Sequence, residues 1–104
     1  MRLEDIPLRL AKLRIAKDVS ARDMSLSLGQ NINYINVIEN GRAYPSMEGL
    51  FNICEYLGIT PQEFFDDGVQ QPERLRALIA DLRRLEPDQL ALVSSLVAGL
   101  LHKR

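Results

Sequence analysis

Apolar residues recur at three- and four-residue intervals through nearly the whole chain, and no stretch sustains the two-residue alternation of a half-buried strand. The pattern predicts an all-α protein. Leu8, Leu10, Leu13 and Ile15 mark a first helix, starting near Pro7 and stopping near Asp18. Ser20-Ala21-Arg22-Asp23 has the form of a capping box and opens a second helix that runs through Met24 and Leu28. Gly29 suits the left-handed residue that ends it, and Asn31 suits the cap of a third helix reaching Glu39, with Ile35 and Ile38 on one face. Asn40-Gly41 stops that helix. Ser46 caps a fourth with Leu50, Ile53, Cys54 and Leu57 on one stripe and Gly58 at its end, and Thr60-Pro61-Gln62-Glu63 starts a short fifth closed by Phe64 and Phe65.

Asp66 to Gln71 is the one linker-like stretch, too short to separate two independent bodies freely. Beyond it the spacing predicts a helical hairpin. Leu75, Leu78, Ile79 and Leu82 form one stripe, and Glu86-Pro87 begins a second helix striped by Leu90, Val93, Leu96, Val97, Leu100 and Leu101. The chain thus divides into a five-helix domain, 1–68, and a C-terminal hairpin, 69–104. The second stripe is broader than one short facing helix covers. It predicts a homodimer built on those six residues, or a hairpin folded back to complete a monomeric core.

Composition narrows the chemistry. A length of 104 residues with 46% hydrophobic and 26% charged side chains fits one small domain with an appendage, and the absence of Trp leaves few large core anchors. One cysteine, Cys54, and one histidine, His102, exclude a disulfide framework and a Cys/His metal cluster. Cys54 lies on the apolar stripe of the fourth helix and reads as a small core residue. No catalytic triad, paired-carboxylate site or glycine-rich phosphate loop is present, so neither an enzyme nor a cofactor is expected. The N-terminus has no signal-peptide pattern and no apolar run reaches membrane-spanning length, which reads as a cytoplasmic protein without a membrane partner.

Charge is unevenly placed. Thirteen basic against fourteen acidic residues give a net −1, yet Arg9, Lys12, Arg14, Lys17 and Arg22 cluster early, while Glu48, Glu55, Glu63, Asp66 and Asp67 lie later. A basic first helix and second-helix start, with Arg42 after the third helix, suit contact with phosphates flanking a DNA groove.

From Leu13 to Ser46, and on to Phe65, the chain resembles the Cro/XRE-type, lambda-repressor-like helix-turn-helix regulators. The resemblance rests on Val19-Ser20, Leu28-Gly29, Asn31-Ile32-Asn33-Tyr34-Ile35, Ile38-Glu39-Asn40-Gly41, Pro45-Ser46 and Tyr56-Leu57-Gly58-Ile59-Thr60. The segment from Ile53 to Pro61 and the hairpin are also similar to small regulators of this type from Gram-positive bacteria and their mobile elements. Small Ser25 in the second helix lets the third approach closely. With Ile35 and Ile38 facing inward, rotation along the third helix turns Ile32, Asn33, Asn36 and Val37 outward.

The resemblance implies that these four residues read bases in the major groove, the asparagines pairing with adenine and the aliphatic residues meeting thymine methyls. Arg22, Asn31, Asn40, Arg42 and Tyr44 are the candidate phosphate contacts, Asn31 through N–H groups at the helix start. It also implies that Arg14 and Glu39 form a structural ion pair tying helix one to the end of helix three. Val37 and Ala21 depart from the polar or basic residue and the Gln that relatives often carry there. The function expected is that of a double-stranded-DNA-binding transcriptional repressor, with a regulatory protein partner as one route of control. The rival is a non-catalytic interaction module, antagonist or antitoxin-like, binding protein through Leu26, Ile32 and Val37.

Overall fold

A computed structural model describes residues 1–68 and 70–102; Val69, where the boundary between domain and hairpin is expected, and Lys103 and Arg104 lie outside them. Among the described residues the regular structure is entirely helical. A short 3-10 turn, Leu3–Asp5, leads into α1 (Ile6–Ala16), α2 (Ala21–Ser27), α3 (Tyr34–Glu39), α4 (Met47–Leu57), α5 (Pro61–Phe64), α6 (Pro72–Leu82) and α7 (Pro87–His102). Packing divides the chain into two compact units, 1–73 and 74–104.

In the first unit the caps set the helix boundaries. Ser20 Oγ accepts from Asp23 N–H and Ser46 Oγ from Gly49 N–H, satisfying amides that the first helical turn leaves unpaired. Asp23 does not complete the reciprocal half of a capping box. Thr60 and Glu63 do complete one, with Pro61 at the first helical position. At the C-termini, Gly29, Gly41 and Gly58 take positive φ, and the following residue bonds back to a carbonyl five residues earlier, as Gln30 N–H does to Ser25 O. Asp18 closes α1 in the same way at φ 60°, a conformation its short polar side chain tolerates.

Helix α1 corrects the expected register. Its buried residues are Ile6, Arg9, Leu10 and Leu13, whereas Leu8 and Ile15 are exposed. Ile6, Leu10 and Leu13 sit at i, i+4 and i+7, and this arc carries Arg9 inward with it. The helix also ends at Ala16, two residues early, because Asp18 has left the right-handed region.

Met24 of α2, Ile35 and Ile38 of α3, and Leu50, Ile53, Cys54 and Leu57 of α4 meet the α1 residues in one core, closed by Ile59 and Phe64. Burial pushes the Cys54 thiol up to about 11, and only the thiolate is a nucleophile. At pH 8 the native protein should therefore resist a thiol reagent, labelling only as fast as it opens. The unfolded thiol ionises near 9 and the folded one near 11. This contribution to stability is complete below pH 9 and is lost as pH rises to 11. Urea melts across that window should show a larger fall in the wild type than in Cys54→Ala, in which the Tyr34 hydroxyl, also raised by burial, still contributes at the upper end.

In the second unit, Gln89 Oε1 accepts from Glu86 N–H and fixes the start of α7. Leu82, Leu85 and Val93 are half-buried, and no residue of α7 is buried.

Candidate nucleic-acid interface

Helices α2 and α3 pack on each other through Ser25, which has no exposed surface. Its hydroxyl donates to Ala21 O (2.7 Å) and accepts from Ile35 N–H (3.0 Å). The small side chain thus permits the close approach and also satisfies an amide in the first turn of α3 that would otherwise be stranded. Tyr34 approaches α4 equally closely. A Cβ on Gly49 would stand 2.7 Å from its hydroxyl, so a larger residue there would have to displace the end of the Tyr34 side chain. Neither the Ser25 bond nor the Tyr34 approach is visible in helical periodicity.

The third helix starts at Tyr34 and not at Asn31. Asn31 Oδ1 accepts from Asn33 N–H (2.8 Å) and Asn31 O from Tyr34 N–H (2.9 Å), so residues 31–33 form an Asx turn. Asn33 takes the N-cap position, and its side chain makes no capping bond. The expected role of Asn31 changes with this: its carbonyl oxygen is held by the backbone, and the amide Nδ2 is the group left to donate outward.

Ile35 and Ile38 are buried, and Ile32, Asn33 and Asn36 are exposed on the other side. Val37 is half-buried in a shallow hollow of about 280 Å³, lined also by Asn31, Asn33, Tyr34, Ile38, Ala43 and Tyr44. Asn40, Arg42 and Tyr44 are exposed beyond the end of α3, and Arg22 is exposed in the first turn of α2. These surfaces share one face with Asn33 and Asn36 only to the extent that α3 and its flanking turns carry them; Arg22 belongs to the partner helix.

Arg14 lies against Glu39. Its Nε and Nη2 donate to the two carboxylate oxygens at 2.7 and 3.0 Å, and Nη1 donates to Val19 O at 2.9 Å. Both side chains are largely covered, and the hydrogen bonds to Glu39 raise the Arg14 pKa above its ordinary value. A fork-to-fork pair in this setting fixes the angle between α1 and the end of α3.

Arg9 is the residue that sequence reasoning misplaced. It is 3% exposed, and its Nε and Nη2 donate to Phe64 O (2.6 Å) and Glu63 O (2.7 Å). Burial lowers its pKa from the ordinary value, opposed by the charges of Asp66 and Asp67. It latches the end of α5 to α1 and leaves the set of basic residues offered to phosphate. Its position three residues after Ile6 and four before Leu13 was the available signal.

A family model for a helix-turn-helix domain matches residues 8–67, more than half of the chain. The chain belongs to the helix-turn-helix domain family. The match spans the two helices joined through Gly29, the α3 face and the Arg14–Glu39 pair. Helix-turn-helix domains of this type are DNA-binding regulatory modules. No curated protein and no solved structure matches the chain. Among the described residues, no helix of this helix-turn-helix protein is long and apolar enough to cross a membrane, and no group of three or more His, Cys, Asp or Glu residues is placed to hold a metal.

Proposed function

We propose that the chain is a sequence-specific regulator of transcription that reads the DNA major groove with residues 31–39 and represses by occluding its site. The observation that carries this reading is Asn33. It stands at the N-cap of α3, where asparagine ordinarily bonds the helix backbone, yet its side chain makes no capping bond. A side-chain amide at the head of a recognition helix, with Asn36 three residues on, suits bidentate pairing with adenine. Ile32 and Val37 flank them and suit thymine methyls. Arg22, Asn31, Asn40, Arg42 and Tyr44 are placed in this reading on the phosphates, where they position the helix without selecting sequence.

One recognition helix covers only a few base pairs, so the functional species in this reading is a homodimer presenting two half-sites. Leu90, Val93, Leu96, Val97, Leu100 and Leu101 of α7 supply its contact, and 1–68 and 69–104 act as the DNA-binding and dimerisation parts. A second reading has one observation in its favour. The apolar hollow beside Val37 suits a protein side chain as well as a base edge, and Leu26 and Ile32 are exposed apolar residues.

Selection of bound fragments from genomic DNA, followed by salt titrations on the preferred site, tests both. Asn33→Ala should weaken binding to that site by about 1–3 kcal/mol and leave non-specific binding nearly unchanged. Arg42→Ala should weaken binding to all sequences alike and reduce the logarithmic salt slope by about one. Equal losses on every sequence for both variants would remove Asn33 from base reading. No salt-dependent binding to any fragment would favour the protein-binding reading.

A further inference from the structure

Residues 1–73 hold seven basic and eleven acidic side chains, whereas residues 74–104 hold six basic and three acidic ones. The unit that contains the helix-turn-helix is the acidic one. Within it Arg9 and Arg14 are committed to the fold and Arg2 lies 3.7 Å from Glu4, so Lys12, Lys17, Arg22 and Arg42 are the cations it offers to a phosphate. DNA-binding proteins draw much of their affinity from neutralised phosphates and the counterions these release. The surplus of positive charge lies on the hairpin, where Arg76, Arg83 and Arg84 are exposed. At about 100° per residue, Arg76 and Arg83 share one side of α6, and Arg84, in the turn that follows, stays within an arc of about 100° with them. The stripe of Leu75, Leu78, Ile79 and Leu82 is centred about 140° away. Arg74 and Asp81 fall outside the basic arc, and Glu73, about three turns before Arg84, is the one acidic residue inside it.

We infer that Arg83 and Arg84, with Arg76 on the same side, form a second phosphate-contacting surface, whose partner is the backbone of the DNA duplex that the helix-turn-helix engages. Among the described residues Arg83 and Arg84 form no ion pair, so no carboxylate described here neutralises them. Their charge is open to an outside partner. Arg76 and Arg83 stand about 10 Å apart along the helix, a length over which one strand of DNA presents about three phosphates. Guanidinia in a row on one side of a helix suit that regular line of anions. Charge balance points to the same partner. Four remaining cations among eleven acidic residues give the first unit a weak hold on a polyanion, and the hairpin supplies the positive charge that this unit lacks. Arg83 and Arg84 also follow the C-terminus of α6, where positive charge favours the helix dipole, a local role that affects helix stability and leaves the salt dependence of DNA binding unchanged. The inference rests on the DNA-binding reading proposed above, and gives α6 a role separate from the dimer contact proposed for α7.

The test titrates full-length protein with salt on its preferred fragment and on an unrelated duplex of equal length. The double variant Arg83→Gln, Arg84→Gln should lose about two units of logarithmic salt slope per bound copy, and at about 0.15 M salt should bind both duplexes at least about tenfold more weakly. The double variant Arg83→Lys, Arg84→Lys keeps the charge and should keep the slope. Sedimentation of each variant at the binding concentrations should match the wild type, so that the loss is one of DNA contact. A glutamine variant with the wild-type slope overturns the inference and leaves DNA binding by the helix-turn-helix standing. So does a lysine variant that loses as much slope as the glutamine one, or a glutamine variant whose loss is confined to the preferred fragment or accompanies a change in association state. Wild-type protein that shows no salt-dependent binding to either duplex overturns the DNA reading and the inference together.

Discussion

Glu39→Ala should lower stability by about 3 kcal/mol, the low end of the range for breaking a buried pair, because both partners keep a little solvent contact. The loss comes less from the attraction removed than from the guanidinium left behind. Arg14 would retain its hydrogen bond to Val19 O, while its Nε and Nη2 donors faced a site vacated by the carboxylate. For a domain of this size that corresponds to a fall in melting temperature of about 12–24 °C. The double variant Arg14→Met, Glu39→Leu should melt closer to the wild type, since it leaves neither charge stranded and keeps apolar volume between α1 and α3. Binding measured well below the melting transition should show a smaller effect of Glu39→Ala than of Asn33→Ala. A thermal melt of Glu39→Ala that overlays the wild type would mean the pair contributes nothing to the fold.

How legible the fold was depended on whether a local rule acted alone. Ser20, Ser46 and Thr60-Pro61 mark helix starts because a hydroxyl two or three residues before a run of apolar positions has one dominant use, and the bonds to Asp23, Gly49 and Glu63 N–H are that use. Gly29, Gly41 and Gly58 mark ends for a comparable reason. The register of α1 was not legible from apolar spacing, because Leu8 and Ile15 compete with Ile6 for the same helix and the winning arc contains a charge. Nor was the start of α3. Asn31 and Asn33 are chemically identical and two residues apart, and only the bond from Asn33 N–H to Asn31 Oδ1 decides which is tied to the backbone. The candidate interface was therefore readable as residue types on an outward face, and unreadable in which amide is free to act there. The Arg14–Glu39 pair spans 25 residues, a separation no periodicity reports; family resemblance suggested it and the geometry supplies its two bonds.

Arg9→Met tests the reassignment with the largest consequence for the charge pattern. The methionine keeps an unbranched apolar stem in the buried site and removes the two short bonds to the end of α5. Phe64 O is then buried behind a thioether, while Glu63 O still accepts from Asp66 N–H. Hydrogen bonds from a charged donor contribute about 1.5–3 kcal/mol each, and relief from burying the guanidinium returns part of that. The net loss should be about 2–3 kcal/mol, read from urea melts. Arg9→Lys should recover only a fraction, because a single ammonium cannot reproduce the fork that reaches Nε and Nη2 to two successive carbonyls. Salt dependence separates the latch from a phosphate contact. At a temperature where Arg9→Met is still folded, its logarithmic salt slope on DNA should equal that of the wild type, since the residue neutralises no phosphate. A variant that melts normally but loses about one unit of slope would return Arg9 to the DNA-facing surface.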